Sequence, residues 1–204
     1  NSRHWDVLRL WSEMKGTLSL CAQQGIDLMG IGLDTWGVDF ALLGKDGTLL
    51  GQPYHYRDGR TDGMLEEAFR RLPRAALFAR SGGQFLQINT LYQLLSMVVH
   101  KSPLLEVAET FLMIPDLFNF WLTGRKVCEF TDATTTQFYD PRQRGWSKEI
   151  CDGLGLPFHI LPEIVQPGTR LGTLLPSVAE ETGLSQVPVI APACHDTGSA
   201  VAAV

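Results

Sequence analysis

Two short segments gather the residue types that perform proton transfer. The first is CHDTGSAV, residues 194–201, which follows directly on the apolar run VPVIAPA. That order reads as strand, loop and helix start, and in open α/β sheets ligands bind beyond the carboxyl ends of strands. An aspartate there, Asp196, is placed to accept a proton from a hydroxyl as it attacks a phosphoryl group. Aspartate is also a favoured N-cap residue, so Asp196 would equally suit the start of a helix TGSAVAAV with no chemistry at all. Spacing alone leaves both roles open. The neighbours Cys194 and His195 do not make a metal site with it, because consecutive residues rarely converge on one ion and the sequence holds no CxxC or HxxxH partner.

The second segment is LDTWGVDF, residues 33–40, where aspartates, a threonine and a tryptophan crowd around Gly37 between apolar runs. Glycine admits a ligand close to the backbone, tryptophan offers a flat apolar wall, and carboxylates accept hydrogen bonds from hydroxyls. Together they suit a sugar. The same residues would serve as a tight strand connection with Trp36 in the core. Other polar clusters are less pointed: EEAFRRLPR reads as a solvated helix face, and TDATTTQ, residues 131–137, fits a capped turn as well as a substrate loop. Neither GxxxxGK[ST] nor GxGxxG occurs.

The elements that must hold these segments follow from periodicity. Trp5, Leu8, Trp11, Met14, Leu18 and Cys21 recur at helical intervals, which predicts an amphipathic helix over 5–24 ended near Gly25. IDLMGIGLD and WGVDFALLGKDGTLL read as strands meeting at Asp34 and Thr35, the second turning at Lys45-Asp46-Gly47, a β-meander. TDGMLEEAFRRL predicts a helix capped by Thr61 or Asp62. NTLYQLLSMVVH predicts another, capped by Asn89 or Thr90 and carrying a stripe of Leu91, Leu94, Leu95, Val98 and Val99. In TFLMIPDLFNFWLTG a short apolar stretch should give way to a helix opened by Pro115 and closed by Gly124. Short helices joined by loops are expected over 141–170, one of them near WSKEICDGLG, then a helical SVAEETG, a β-rich VPVIAPA and a helix starting near Asp196. Hairpins first, helices in the middle and a strand-to-helix step at the end make one α/β domain.

Composition narrows the function classes. With 45% hydrophobic and 19% charged residues in 204, the chain can bury a sizeable core. A formal net charge of -5 gives no basic stripe for nucleic acid and no polybasic patch for a membrane surface. Cys21, Cys128, Cys151 and Cys194 lack the density of a disulfide framework, no run reaches the roughly 20 apolar residues of a membrane span, and no signal peptide opens the chain; a cytoplasmic protein is expected.

In sequence order, GIGLDTWGVDFALL, YRDGRTDGM, GGQFLQINTLYQL, FLMIPDLFNFWLTG, EFTDATTTQ and CHDTGSAV resemble segments of the FGGY carbohydrate kinases, in particular the branch that acts on L-rhamnulose. The resemblance runs from about Trp5 to the last residue. It implies an actin-like, ribonuclease H-like fold of two domains with sugar and nucleotide in the cleft between them. Residues 1–204 would be the amino-terminal, sugar-binding domain, truncated at both ends and without the nucleotide-binding domain. The implied reaction is transfer of the γ-phosphoryl of ATP, with Mg2+, to the 1-hydroxyl of L-rhamnulose. Asp196 would be the general base, with Gly37, His195 and Thr197 at sugar-contacting positions and Trp36 and Asp39 as weaker candidates. The family's DxGxxxxR phosphate segment and most adenosine contacts would lie outside the chain, so the resemblance places no cofactor or metal ligand within it and implies that it is inactive alone. Cys194 replaces a small serine-like residue. The alternatives are a kinase for another ketose such as L-fuculose, or a sugar-binding actin-like domain without catalysis.

Overall fold

The computed structural model of the chain describes residues 2–204. Helix α1 (Val7–Gln23) starts where the Asp6 side chain accepts a hydrogen bond from Arg9 N at 3.0 Å. It is followed by β1 (Ile31–Gly32) and β2 (Phe40–Leu43). These strands do not form the expected meander. β1 pairs in parallel with β9 (Pro188–Ala191), which is flanked on its other side by antiparallel β8 (Thr169–Thr173), whereas β2 pairs antiparallel with β3 (Thr110–Met113). The reason lies in residues 35–39, whose tight turning takes the chain out of one sheet and into another. Every residue of FALL is buried, so β2 is covered on both faces and its sequence is a continuous apolar run. The turn at Lys45–Gly47 does form, with Gly47 at φ 83 and Leu43 bridged to Leu49.

Helices α2 (Met64–Arg71) and α3 (Arg74–Ser81) come next. The expected caps of α2 are not used: Gly63 occupies the cap position at φ 75, because Asp58 instead accepts from Arg60 N at 3.0 Å and winds 59–61 into a single tight turn. Helix α4 (Thr90–Val99) lies where the pattern placed it, but it is enclosed all round, not striped: Tyr92, Gln93 and Ser96 are as buried as Leu91, Leu94 and Leu95. Each buried leucine contributes about 2 kcal/mol. Asn89 sits at its cap position, yet its amide points elsewhere and caps nothing.

After α5 (Leu104–Val107) and β3, helix α6 (Ile114–Thr123) opens with Pro115 and closes on Gly124 in the left-handed conformation, as expected. Then follow β4 (Cys128–Glu129), α7 (Phe130–Ala133), the hairpin β5 (Tyr139–Asp140) and β6 (Gly145–Trp146), and α8 (Lys148–Leu154), capped by Ser147 and ended by Gly155. β7 (Ile164–Val165) pairs in parallel with β4; β8, α9 (Pro176–Thr182), β9 and α10 (Asp196–Ala202) complete the chain. All four cysteines are free thiols.

Candidate active site

The three-stranded sheet delivers the first wall. Beyond Gly32 the backbone of Thr35 continues the pairing with the segment after β9: Thr35 N donates to Cys194 O at 2.9 Å, and Asp196 N donates to Thr35 O at 2.7 Å. Trp36, Gly37 and Val38 are thereby laid beside His195. A Cβ built on Gly37 would lie 2.8 Å from Thr135 Cγ2 and 3.1 Å from the His195 ring, so Gly37 makes room for two side chains that a larger residue would displace.

These residues line a cavity of about 510 Å³ with Tyr56 and Arg57, the loop 83–89, Thr134, Thr135, Gln137 and Asp196. Of the residues singled out in the sequence, Trp36, Gly37, His195 and Asp196 meet here. Thr197 does not line the cavity; it is exposed, and its hydroxyl donates to Asp196 Oδ1 at 3.1 Å. His195 Nε2 stands 3.4 Å from the same oxygen. Asp196 is not the helix cap. His195 occupies that position with no side-chain bond, and the exposed Asp196 carboxylate accepts from no backbone N–H among the described residues.

Asp39 lies behind the wall. It is fully buried, accepting from Gln93 Nε2 at 2.8 Å on Oδ1 and from Trp5 Nε1, Trp36 Nε1 and Tyr56 N at 2.6, 3.1 and 3.2 Å on Oδ2. Burial raises its pKa against the pull of those hydrogen bonds. Between Gly37 and Asp39 the backbone makes a three-residue turn, Asp39 N to Gly37 O at 2.9 Å, which puts Val38 at φ 67. A β-branched residue there stores strain of about 1 to 3 kcal/mol. Its peptide groups are pinned by Thr135 Oγ1, which accepts from Val38 N at 3.0 Å, and by Thr90 Oγ1 and Gln93 Nε2, which donate to Val38 O at 2.7 and 3.1 Å. Gln137, also in the wall, has the same φ of 67.

Tyr56, Arg57, Gln84, Asn89, Thr134, Thr135 and Gln137 went unassigned in the sequence. Their signal was present in the strings YRDGR, GGQFLQIN and TDATTTQ, but such strings read equally well as turns or a helix start until the fold brings them to one cavity.

Beneath the loop 194–196 lie three fully buried acids, Asp116, Glu129 and Asp132. Burial, reinforced by the neighbouring Glu129, pushes Asp116 up to about 8, and burial with nearby carboxylates raises Asp132 well above the usual range. Among the described residues no cluster of three or more His, Cys, Asp or Glu side chains could hold a metal ion.

The fold is that of the sugar kinases. A xylulose kinase from Rhodospirillum rubrum superposes with a TM-score of 0.88 over 98% of this chain and 43% of its own, at 22% identity, which bears out the actin-like α/β architecture. Residues 1–203 match the FGGY family of carbohydrate kinases, N-terminal domain, and the chain belongs to that family. Among curated relatives, a rhamnulokinase from Halalkalibacterium halodurans is 44% identical and one from Bacteroides thetaiotaomicron 42%, each over 98% of this chain. The chain spans 43% and 41% of their respective lengths.

Proposed function

We propose that the protein carrying this chain transfers the γ-phosphoryl of ATP to the 1-hydroxyl of L-rhamnulose, and that residues 1–204 form its sugar-binding domain. The observation that carries the reading is the state of Asp196: on the cavity, exposed, and relieved of any capping duty. Its relatives named as rhamnulokinases supply the ketose. Within the cavity the sugar stands against Trp36, Gly37 and His195, and Asp196 accepts the proton of the attacking hydroxyl. Thr197 supports the base by donating to Asp196 Oδ1 and has no need to reach the sugar itself. Asp39 supports the wall from behind.

MgATP enters as the second substrate. The described residues offer no cluster of three or more His, Cys, Asp or Glu side chains for a metal. Phosphoryl transfer depends chiefly on positioning and on charge stabilisation, and the task of this domain is to orient one hydroxyl and remove its proton. No described helix is long and apolar enough to cross a membrane. A cytoplasmic kinase of a small-molecule sugar is the accompanying proposal. The test is ATP-dependent phosphorylation of a ketose panel by the full-length protein beside Asp196→Asn. Preference for L-rhamnulose and loss of turnover with sugar binding retained are expected. Preference for L-fuculose would move the protein to another branch, and sugar binding without phosphorylation would make it a sensor.

A further inference from the structure

We infer that Glu129 and Thr131 act as a positioning pair that fixes the backbone bearing His195 and Asp196. Glu129 is fully buried at the end of β4, and its own N–H donates to Asp116 Oδ1 at 3.0 Å. One of its oxygens, Oε2, accepts from Thr131 N at 3.0 Å, from Cys194 N at 3.0 Å and from the Thr131 hydroxyl. A hydroxyl has one proton to donate. Because that proton goes to Glu129, the oxygen of Thr131 is left as an acceptor, and it receives His195 N at 3.1 Å.

Successive amides of the catalytic loop are thus held from opposite sides. Cys194 N and His195 N are held by the pair, and Asp196 N is held by Thr35 O. A Cβ on Gly198 would sit 3.5 Å from Thr131 Cβ, so the first turn of α10 rests directly on this threonine. Neither Glu129 nor Thr131 lines the cavity. Their influence on the reaction passes through the backbone of 194–196, and they are positioning residues, with no contact to the reacting atoms. This rests on the reading of Asp196 as the base.

The experiment uses the full-length kinase with L-rhamnulose and MgATP, comparing Thr131→Val, which keeps the shape and removes the hydroxyl, with Thr131→Ser, which restores it. A displaced catalytic group costs on the order of 10²-fold in rate, so Thr131→Val should lose about that much kcat with a far smaller change in the sugar dissociation constant measured by calorimetry. Thr131→Ser should stay within about threefold of the parent. A purely structural threonine would instead lower the melting temperature and leave kcat per folded molecule unchanged, and that result would overturn the inference, as would Thr131→Ser being impaired as much as Thr131→Val. If Thr131→Val does not fold, Thr131→Cys, which keeps the size and replaces the hydroxyl by a weak hydrogen-bonding thiol, takes its place and is read the same way. Asp196→Asn is run alongside. If it retains turnover while Thr131→Val loses it, the base assignment fails and the pair stands as a clamp on His195; if it is inactive while Thr131→Val matches the parent, the base stands and the pair falls.

Discussion

Asp196 and Asp39 sit in segments that look alike in sequence, each an aspartate in a polar turn beside an apolar strand, and the fold uses them in opposite ways. Asp196 is exposed on the cavity and, among the described residues, its side chain accepts only from the adjacent Thr197, so its carboxylate is available to a substrate. Asp39 is buried and receives donors from α4, from Trp5, from Trp36 and from the backbone of Tyr56, so its hydrogen-bonding capacity is consumed in joining parts of the chain far apart in sequence. A catalytic carboxylate needs free lone pairs at a cavity; a structural one needs them filled. The number of donors around each, more than the residue type, separates the roles.

The sharpest way to break this contrast is to neutralise each aspartate in turn. Asp196→Asn should cut kcat by about 10³-fold, within the range for loss of a general base, and leave the melting temperature of the protein almost unchanged. Asp39→Ala should act first on stability. It leaves several buried donors without an acceptor, and denaturant titration should record a loss of about 3 kcal/mol or more. If Asp39→Ala proved stable and inactive, the division of labour would be wrong.

Smaller effects sharpen the picture of the wall between them. Gly37→Ala forces a methyl against Thr135 and His195, and sugar affinity should drop about tenfold by calorimetry, or roughly 1.4 kcal/mol, with the fold intact. The last concerns the acids beneath the loop. Asp116 holds its proton up to about 8 in the folded state and only to 3.8 when unfolded, so the folded state binds more protons throughout that window. Stability should therefore fall as pH rises from about 4 to about 8 and level off above it, and Asp116→Asn should flatten the slope in pH-dependent melting curves.

Most elements could be read along the chain because their causes are local. The intervals of Trp11, Met14 and Leu18 set α1; Pro115 and Gly124 bracket α6; Gly155 and Gly183 end α8 and α9 in the left-handed conformation. The strand-to-helix step at Asp196 was equally local, resting on a β-rich run followed by a polar turn. Where this failed, the deciding contact was distant. The meander was wrong because β1 finds its partner more than 150 residues away, at Val189 and Ile190, and β2 at residues 110–113. Thr61, Asp62 and Asn89 were not caps because other residues claimed either the cap position or the side chain.

Residue order by itself determined where helices start and stop and which segments are rich in proton acceptors, since propensity, capping and periodicity act over a few residues. Only the tertiary structure decided which aspartate is spent and which is free, that Gly37 yields space to His195 and Thr135, and that Thr131 meets the amide of His195. Those outcomes depend on which groups from remote parts of the chain come within hydrogen-bond distance, and that distance is set by packing.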